Sequence, residues 1–480
     1  MPPLDPLTLP LDGVRLIEAS AGTGKTHNIV TLFLRLLLQK DADISRILVV
    51  TFTNAATEEL RGRLRERLRA AWAEAANHGP KDPVLAAVWE PLDEAQRSQA
   101  QRRLWEAVCR MDEAAVFTIH GFCQRMLQEF AFESAVPFDW DVLPDDGDLY
   151  REAAADFWRH LMKSADTLKA RWLLETWDGP KGLLKALEAL KSPVRPRILP
   201  LPPEKDDSDF SALHELFEKI RALWSKGRSD IEDILRHHQG LDRRSYTRHV
   251  IQNALDTMDA LVECGMPPLS LPDPFKRFTP RSLAAKSKGG RAPSHPFFDL
   301  CGRYEELLKE LLNSQRAAIL RSAYGFMEQA VSRRKEAERS LAFDDLLQRF
   351  QEALSGPVGS KLAEAVRQKY PVALIDEFQD TDPVQYWIFQ RIYMGPNGPG
   401  PLCLIGDPKQ AIYSFRGADI FAYMRAKRDT GPDSVYTMTT NWRSSSGLVR
   451  AVNHLFSRHP YPFVFHEDIP FHAVQSAGRA

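Results

Sequence analysis

Leu16-Ile17-Glu18-Ala19-Ser20-Ala21-Gly22-Thr23-Gly24-Lys25-Thr26 is the stretch that decides the fold. An apolar strand signal at Val14, Leu16 and Ile17 runs into a small-residue loop, and a helical run from His27 to Leu38 follows it. Strand, loop and helix in that order make a cradle for phosphate. Gly22 and Gly24 let backbone N–H groups turn inward where a Cβ would obstruct them. Lys25 brings a point charge to terminal phosphates, and the Thr26 hydroxyl is suited to magnesium. The helix N-terminus adds a dipole that favours an anion. Ala19 stands where the strict pattern has its first glycine. The expected nucleotide-binding segment is thus Ala19, Ser20, Ala21, Gly22, Thr23, Gly24, Lys25, Thr26 and His27.

About 350 residues later comes Asp376-Glu377-Phe378-Gln379-Asp380, at the end of an apolar run. A doubly wound sheet places its ligands at strand ends. Adjacent carboxylates there suit two tasks: one holds Mg²⁺ through water, and the other accepts a proton from the attacking water. A lone Asp-Glu pair would read as a solvated turn; downstream of a phosphate loop it reads as nucleotide hydrolysis. Gly406-Asp407-Pro408-Lys409-Gln410-Ala411-Ile412-Tyr413-Ser414-Phe415-Arg416-Gly417-Ala418 also follows a strand signal. Gln410 is placed to sense a terminal phosphate, while Tyr413, Phe415 and Arg416 offer stacking faces and charge to a nucleic acid.

Six short apolar runs read as strands of a parallel sheet covered on both faces: Val14–Ile17, Ile47–Phe52, Val116–Ile119, Val372–Asp376, Leu402–Ile405 and Val435–Met438. Between residues 137 and 339 the period becomes helical, as in Leu213–Leu223 and Tyr304–Leu312, with breaks at Ser192–Pro203 and Pro267–Pro296. The run at Val435–Met438 reads as the opening strand of another α/β unit, with too few residues after it for a full domain.

The 480 residues, 44% apolar and 26% charged, are ordinary for a globular chain of about three domains. No stretch approaches the ~20 uncharged residues of a membrane span, and Arg35 inside the apolar run Ile29–Leu38 marks a buried helix. The first fifteen residues lack the basic start and apolar core of a secretory signal. Five scattered cysteines fit reduced thiols in the cytoplasm. Net charge is −1, so a nucleic-acid contact must be local. One local excess exists: between Pro272 and Pro296, six cations (Lys276, Arg277, Arg281, Lys286, Lys288, Arg291) face Asp273 alone, in what reads as a loop.

Thr51-Phe52-Thr53-Asn54-Ala55-Ala56, Thr118-Ile119-His120-Gly121-Phe122, Asp376–Asp380, Gly406–Ala418 and Asn441-Trp442-Arg443-Ser444 stand in the order of the UvrD/Rep group of superfamily 1 helicases. Within that group the chain most resembles the RecB family, the helicase–nuclease (beta) subunits of exonuclease V (RecBCD). The residues that carry this are Leu16–Thr26, Gly121-Phe122-Cys123-Gln124 and Asp407–Gly417. The resemblance implies an α/β fold. It would be a RecA-like P-loop NTPase domain with a parallel sheet (1–136 and 340–434), a large helical insertion (137–339) and the start of a second RecA-like domain (435–480).

The resemblance also implies ATP and Mg²⁺ as cofactors, with Thr26 and Asp376 at the metal. Lys25, Glu377, Gln410 and Arg443 carry catalysis, Arg443 reaching the γ-phosphate across a domain cleft, and Trp442 stacks on adenine. Phe52, Thr118, His120, Tyr413, Phe415 and Arg416 would line single-stranded DNA. The implied whole is an ATP-dependent DNA helicase subunit acting on double-strand ends with 3′–5′ polarity. Its partners would be single- and double-stranded DNA and RecC- and RecD-like subunits, with no membrane.

Departures are visible too. No glutamine precedes Gln39 to read adenine, His27 stands where relatives often have arginine, and neither the late helicase motifs nor an Asp…Asp-X-Lys nuclease cluster is found. The chain thus reads as an N-terminal portion without the nuclease. The alternatives are a nucleotide-dependent DNA-binding module that does not unwind, and a P-loop ATPase acting on protein. The base-stacking motifs argue against the last.

Overall fold

The computed structural model describes residues 1–76, 80–134, 140–143, 145–188, 210–395 and 400–478, the Arg416 side chain excepted. The chain divides into two compact units; counting described residues, one comprises 1–145 and 339–478, the other 146–188 and 210–338. The expected boundary at residue 137 and the expected break at Ser192–Pro203 lie outside the described residues.

The first unit is built on six strands: β1 (Val14–Glu18), β2 (Ile47–Thr51), β3 (Val116–Thr118), β4 (Val372–Ile375), β5 (Leu402–Gly406) and β6 (Val435–Thr437). Their order is β3-β2-β4-β5-β1-β6, and every pairing is parallel. Parallel strands need a crossover between neighbours, and the helices that supply it cover both faces. The strands show this directly. Leu16, Leu48, Val50, Ile375 and Leu404 pack into one core, with helices Ile119–Glu129, Phe343–Ser355 and Pro383–Tyr393. Ile17, Ile47, Val49, Leu374 and Ile405 face the other, with Lys25–Gln39 and Asn54–Ala76. In Lys25–Gln39 every residue from Asn28 to Leu38 is buried. Arg35 is tolerated there because its guanidinium donates to the carbonyls of Pro6 (2.7 Å) and Leu9 (2.9 Å) and to Gln39 (3.0 Å).

Two expectations are corrected. Val435–Thr437 does not open another α/β unit: it pairs with β1 in the register Leu16↔Val435 and closes the edge of the first sheet. Three apolar residues cannot reveal which sheet they join; the partner strand decides that.

The second correction concerns the basic segment, which is folded and belongs to the second unit. Among the described residues its named elements are helices, from Gly147–Ser164 to the long Pro296–Glu338. Helices Asp273–Lys276 and Pro280–Ala285 occupy the supposed loop, with Phe275, Phe278 and Leu283 buried in the helical core. Pro274 and Pro280 sit in first turns, where the missing N–H costs nothing. The Lys288 N–H donates to the Gly240 carbonyl (2.8 Å) and the Tyr246 hydroxyl to that of Arg277 (2.8 Å). Lys276, Arg281, Lys286, Lys288 and Arg291 remain exposed. Among the described residues no helix is long and apolar enough to cross a membrane.

Candidate functional site

An all-parallel sheet delivers the carboxyl ends of its strands to one edge. The loop Ala19–Gly24 follows β1, Phe52 follows β2, Thr118 ends β3, Asp376 and Glu377 follow β4, Asp407 follows β5, and Asn441 lies four residues past β6. Six segments scattered over more than 400 residues of sequence become neighbours by topology alone.

The loop after β1 turns through two left-handed glycines, Gly22 at φ +78° and Gly24 at φ +91°. Gly24 is the N-cap of Lys25–Gln39, so that helix starts at the lysine. A Cβ on Gly22 would stand 2.9 Å from that of Arg443, so this position needs glycine for space as well as conformation. Ala19, fully buried, donates its N–H to the Gly406 carbonyl at 2.9 Å, and Thr23 caps back onto the Ser20 carbonyl at 2.7 Å. Beneath the loop, buried Glu18 accepts from Lys427 at 2.7 Å, pinning the end of β1 to helix Ile420–Thr430. Thr26 is half-buried in the first helical turn and His27 is exposed.

Lys25 is ion-paired with Glu377. Glu377 is a non-glycine residue in left-handed backbone, at φ 49°, and its N–H donates to the Asp376 carboxylate at 2.9 Å. Gln379 donates to the same Glu377 oxygen that Lys25 meets, Oε2 (2.8 Å), and to Asp380 (3.2 Å). The Asp407 N–H donates to Gln379 Oε1 at 2.9 Å, and Gln410 donates to Asp407 at 2.7 Å. Burial, and then neighbouring Glu377, push the Asp376 carboxyl up to about 6; Lys25 opposes them. A carboxylate desolvated beside a second carboxylate is short of a cation, and a magnesium ion suits that position. Thr26 and Asp376 are the residues that would hold it, and its charge would stabilise phosphoryl oxygens.

The flank of this edge is aromatic. Phe52 and Tyr413 stack at 5.8 Å between centroids with 26° between planes, and Phe415 lies 5.9 Å beyond Tyr413. Phe415 is 75% exposed. His120 is half-buried; burial lowers its pKa and Asp344 opposes this, so the ring favours its neutral form. Thr118 caps helix Ile119–Glu129 by accepting from the Gly121 N–H at 3.2 Å, which leaves its hydroxyl proton for another acceptor. The Arg416 side chain lies outside the described residues.

Trp442 is 55% exposed, and its backbone N–H donates to the Gly22 carbonyl at 2.8 Å. Arg443 stands against Gly22, in the same compact unit as the loop.

Three residues escaped the sequence reading. Asn441 donates to the Ala21 carbonyl at 2.9 Å and accepts from the Arg443 and Ser444 N–H groups, fixing that segment onto the loop. A buried polar residue just past a strand could have signalled it. Phe343, 46% exposed, meets His120 edge-on at 6.1 Å. It follows a strand of only three residues, Ser340–Ala342, too short to register in periodicity. Gln379 was quoted within its motif without a task.

Comparison with known proteins agrees with this arrangement. The model of the UvrD/REP helicase N-terminal domain matches residues 5–431. The RecBCD enzyme subunit RecB of Escherichia coli (strain K12) is 42% identical, over 99% of this chain and 40% of that protein. The RecB subunit of Haemophilus influenzae is 34% identical over 99% and 42%, and that of Chlamydia trachomatis 28% over 98% and 45%. The chain spans less than half the length of these relatives. The match of the family model across 5–431 and the 42% identity to a RecB subunit show that the chain belongs to the UvrD/REP helicase N-terminal domain family and is a homologue of RecB subunits.

Proposed function

We propose that this chain is the ATP-binding motor portion of a DNA helicase subunit of the RecBCD type, serving recombinational repair at double-strand ends. One observation carries the proposal. The ion-paired Lys25 and Glu377 share a sheet edge with the stacked Phe52 and Tyr413, so a nucleotide site and a base-stacking site stand side by side.

In this reading the loop from Ala19 to Thr26 takes the phosphates, and an arriving phosphate competes with Glu377 for Lys25. Glu377, freed of its cation, takes the proton of the attacking water. Asp376 and Thr26 hold magnesium; Gln410 and Arg443 answer to the terminal phosphate, and Trp442 and His27 flank the base. Phe52, His120, Tyr413 and Phe415 grip single-stranded DNA, with Thr118 and Arg416 on its backbone. Phe343 joins this track, since its exposed ring abuts His120. The exposed cations of 276–291 face duplex DNA. Residues 146–338 are the insertion domain, and the second motor domain begins downstream of β6. The 3′–5′ polarity, the RecC- and RecD-like partners and a cytoplasmic setting follow from the family likeness.

The test is fluorescence anisotropy with a labelled single-stranded oligonucleotide across a salt series, with and without a non-hydrolysable ATP analogue and Mg²⁺. Salt-dependent binding altered by nucleotide is expected. Absence of both nucleotide and DNA binding would overturn the proposal.

A further inference from the structure

We propose that Gln379 is a positioning residue that ties the hydrolytic carboxylate Glu377 to the DNA-facing segment after β5, so that each site senses the other. The proposal rests on the motor reading above and deepens it.

The Gln379 side chain is 2% exposed, yet all its polar capacity is directed. Its amide nitrogen donates to Glu377 Oε2 at 2.8 Å and to Asp380 Oδ2 at 3.2 Å, and its carbonyl oxygen accepts the Asp407 N–H at 2.9 Å. Chemistry fixes this orientation. A flipped amide would set N–H against N–H at Asp407 and oxygen against two carboxylates. Asp407, itself 2% exposed, is the next joint. It accepts from the Gln410 amide at 2.7 Å and from the Lys409 N–H at 3.1 Å. Tyr413, three residues on, stacks on Phe52. The hydrogen-bonded chain therefore runs Lys25–Glu377–Gln379–Asp407–Gln410 without a gap and ends beside the aromatic track.

A second observation points to the same residue. Gly406 ends β5, and a Cβ there would stand 2.6 Å from Gln379 Oε1 and 3.1 Å from its N–H nitrogen. The strand end is shaped around the amide. Glu377 Oε2 meets both the Lys25 ammonium and the Gln379 amide. When phosphate draws Lys25 away, Gln379 is left as the group holding that oxygen, and any shift of the amide is delivered to the Asp407 N–H. Buried hydrogen-bond chains have few alternative arrangements, which suits them to passing a displacement on.

The experiment uses the full 480-residue chain and two variants, Gln379→Met, which keeps length and removes the hydrogen bonds, and Gly406→Ala, which presses on the same amide. Three quantities are measured: the mant-ATP dissociation constant, the thermal midpoint, and the ratio of oligonucleotide affinities with and without the non-hydrolysable ATP analogue. Coupled sites of this kind alter each other's affinity by roughly 5–150-fold. In both variants that ratio is expected to fall to within about twofold of one, while mant-ATP affinity changes by no more than about threefold. Gln410→Ala should remove the same coupling, and adding it to Gln379→Met should remove nothing further.

A parental ratio retained in Gln379→Met would overturn the proposal, as would losses that add in the double variant. Unfolding of both single variants would make Gln379 a packing residue and overturn it equally. A parent that binds ATP and DNA with a ratio of one sinks the relay alone; a parent that binds neither sinks the motor reading and the relay together.

Discussion

The nucleotide end of the sheet edge and its aromatic flank are built on opposite principles. At the nucleotide end, Lys25, Glu377, Gln379, Asp407 and Gln410 are buried or half-buried and bonded to one another. On the flank, Phe415 and Phe343 hold large apolar faces in water. Chemistry on a phosphate needs groups fixed before the substrate arrives, because reorganisation would cost part of the rate. Gripping a polymer that must also be released needs faces that bases can reach and leave. Substitutions at the first end should therefore be all-or-none, and those on the flank graded.

The largest effect is expected from Lys25→Ala. It leaves Glu377 without its cation and, in the proposed function, removes the charge that meets the phosphates, so ATP affinity should drop by about 100-fold or more with the fold retained. Calorimetry with ATP and a far-UV spectrum check both halves, and unchanged affinity would erase the contrast. Glu377→Gln comes next. The amide keeps the shape but cannot take a proton, so ATP still binds while hydrolysis falls about 100-fold in any longer form of the protein that turns over. A single-turnover assay decides, and an undiminished rate removes Glu377 from the base role.

On the flank, Phe415→Ala should cost about 1–3 kcal/mol of single-strand affinity and leave mant-ATP binding alone. A collapse of nucleotide binding in that variant would break the division between the two ends.

The smallest effect concerns stability. Burial, and then Glu377, raise Asp380 from 3.8 to about 6. The folded chain thus binds that proton more tightly than the unfolded one, which favours folding below about pH 4, and the advantage is lost as pH rises through about 6. Asp380→Asn should therefore add on the order of 1 kcal/mol of stability at pH 8 after solvent screening, seen as a higher thermal midpoint, and the gain should vanish toward pH 4. A pH series of melting curves would show it; a gain that grew on acidification would reverse the sign.

The sheet was legible because each strand is a short apolar run ending in a motif, and both faces are covered. All six runs proved to be strands, with ends shifted by a residue: Ile119 opens a helix, and Phe52 lies past its strand. The placement of Ala19–Gly24 and of Asp376-Glu377 at strand ends was legible for the same reason, since each directly follows its own apolar run. What stayed hidden was relational. Val435–Thr437 carries no mark saying that it pairs with β1, and Gln379 reveals its task only once Asp407 is brought beside it. The segment 272–296 misled because prolines and glycines signal turns, while Phe275, Phe278 and Leu283 fall in and between helices of four and six residues, too short to show a period.

The pairing of β6 with β1 has a mechanical consequence. The chain leaving β6 is stitched to the phosphate loop by the Asn441 side chain at Ala21 and the Trp442 N–H at Gly22. Helix Ser446–Phe456 begins only a few residues later. A pull on that helix is passed to two carbonyls of the loop, and also to segment 474–476, which Asn453 and Ser446 hold. Tension there would tug on the cradle directly, making Asn441-Trp442-Arg443 a short tendon between force and phosphate.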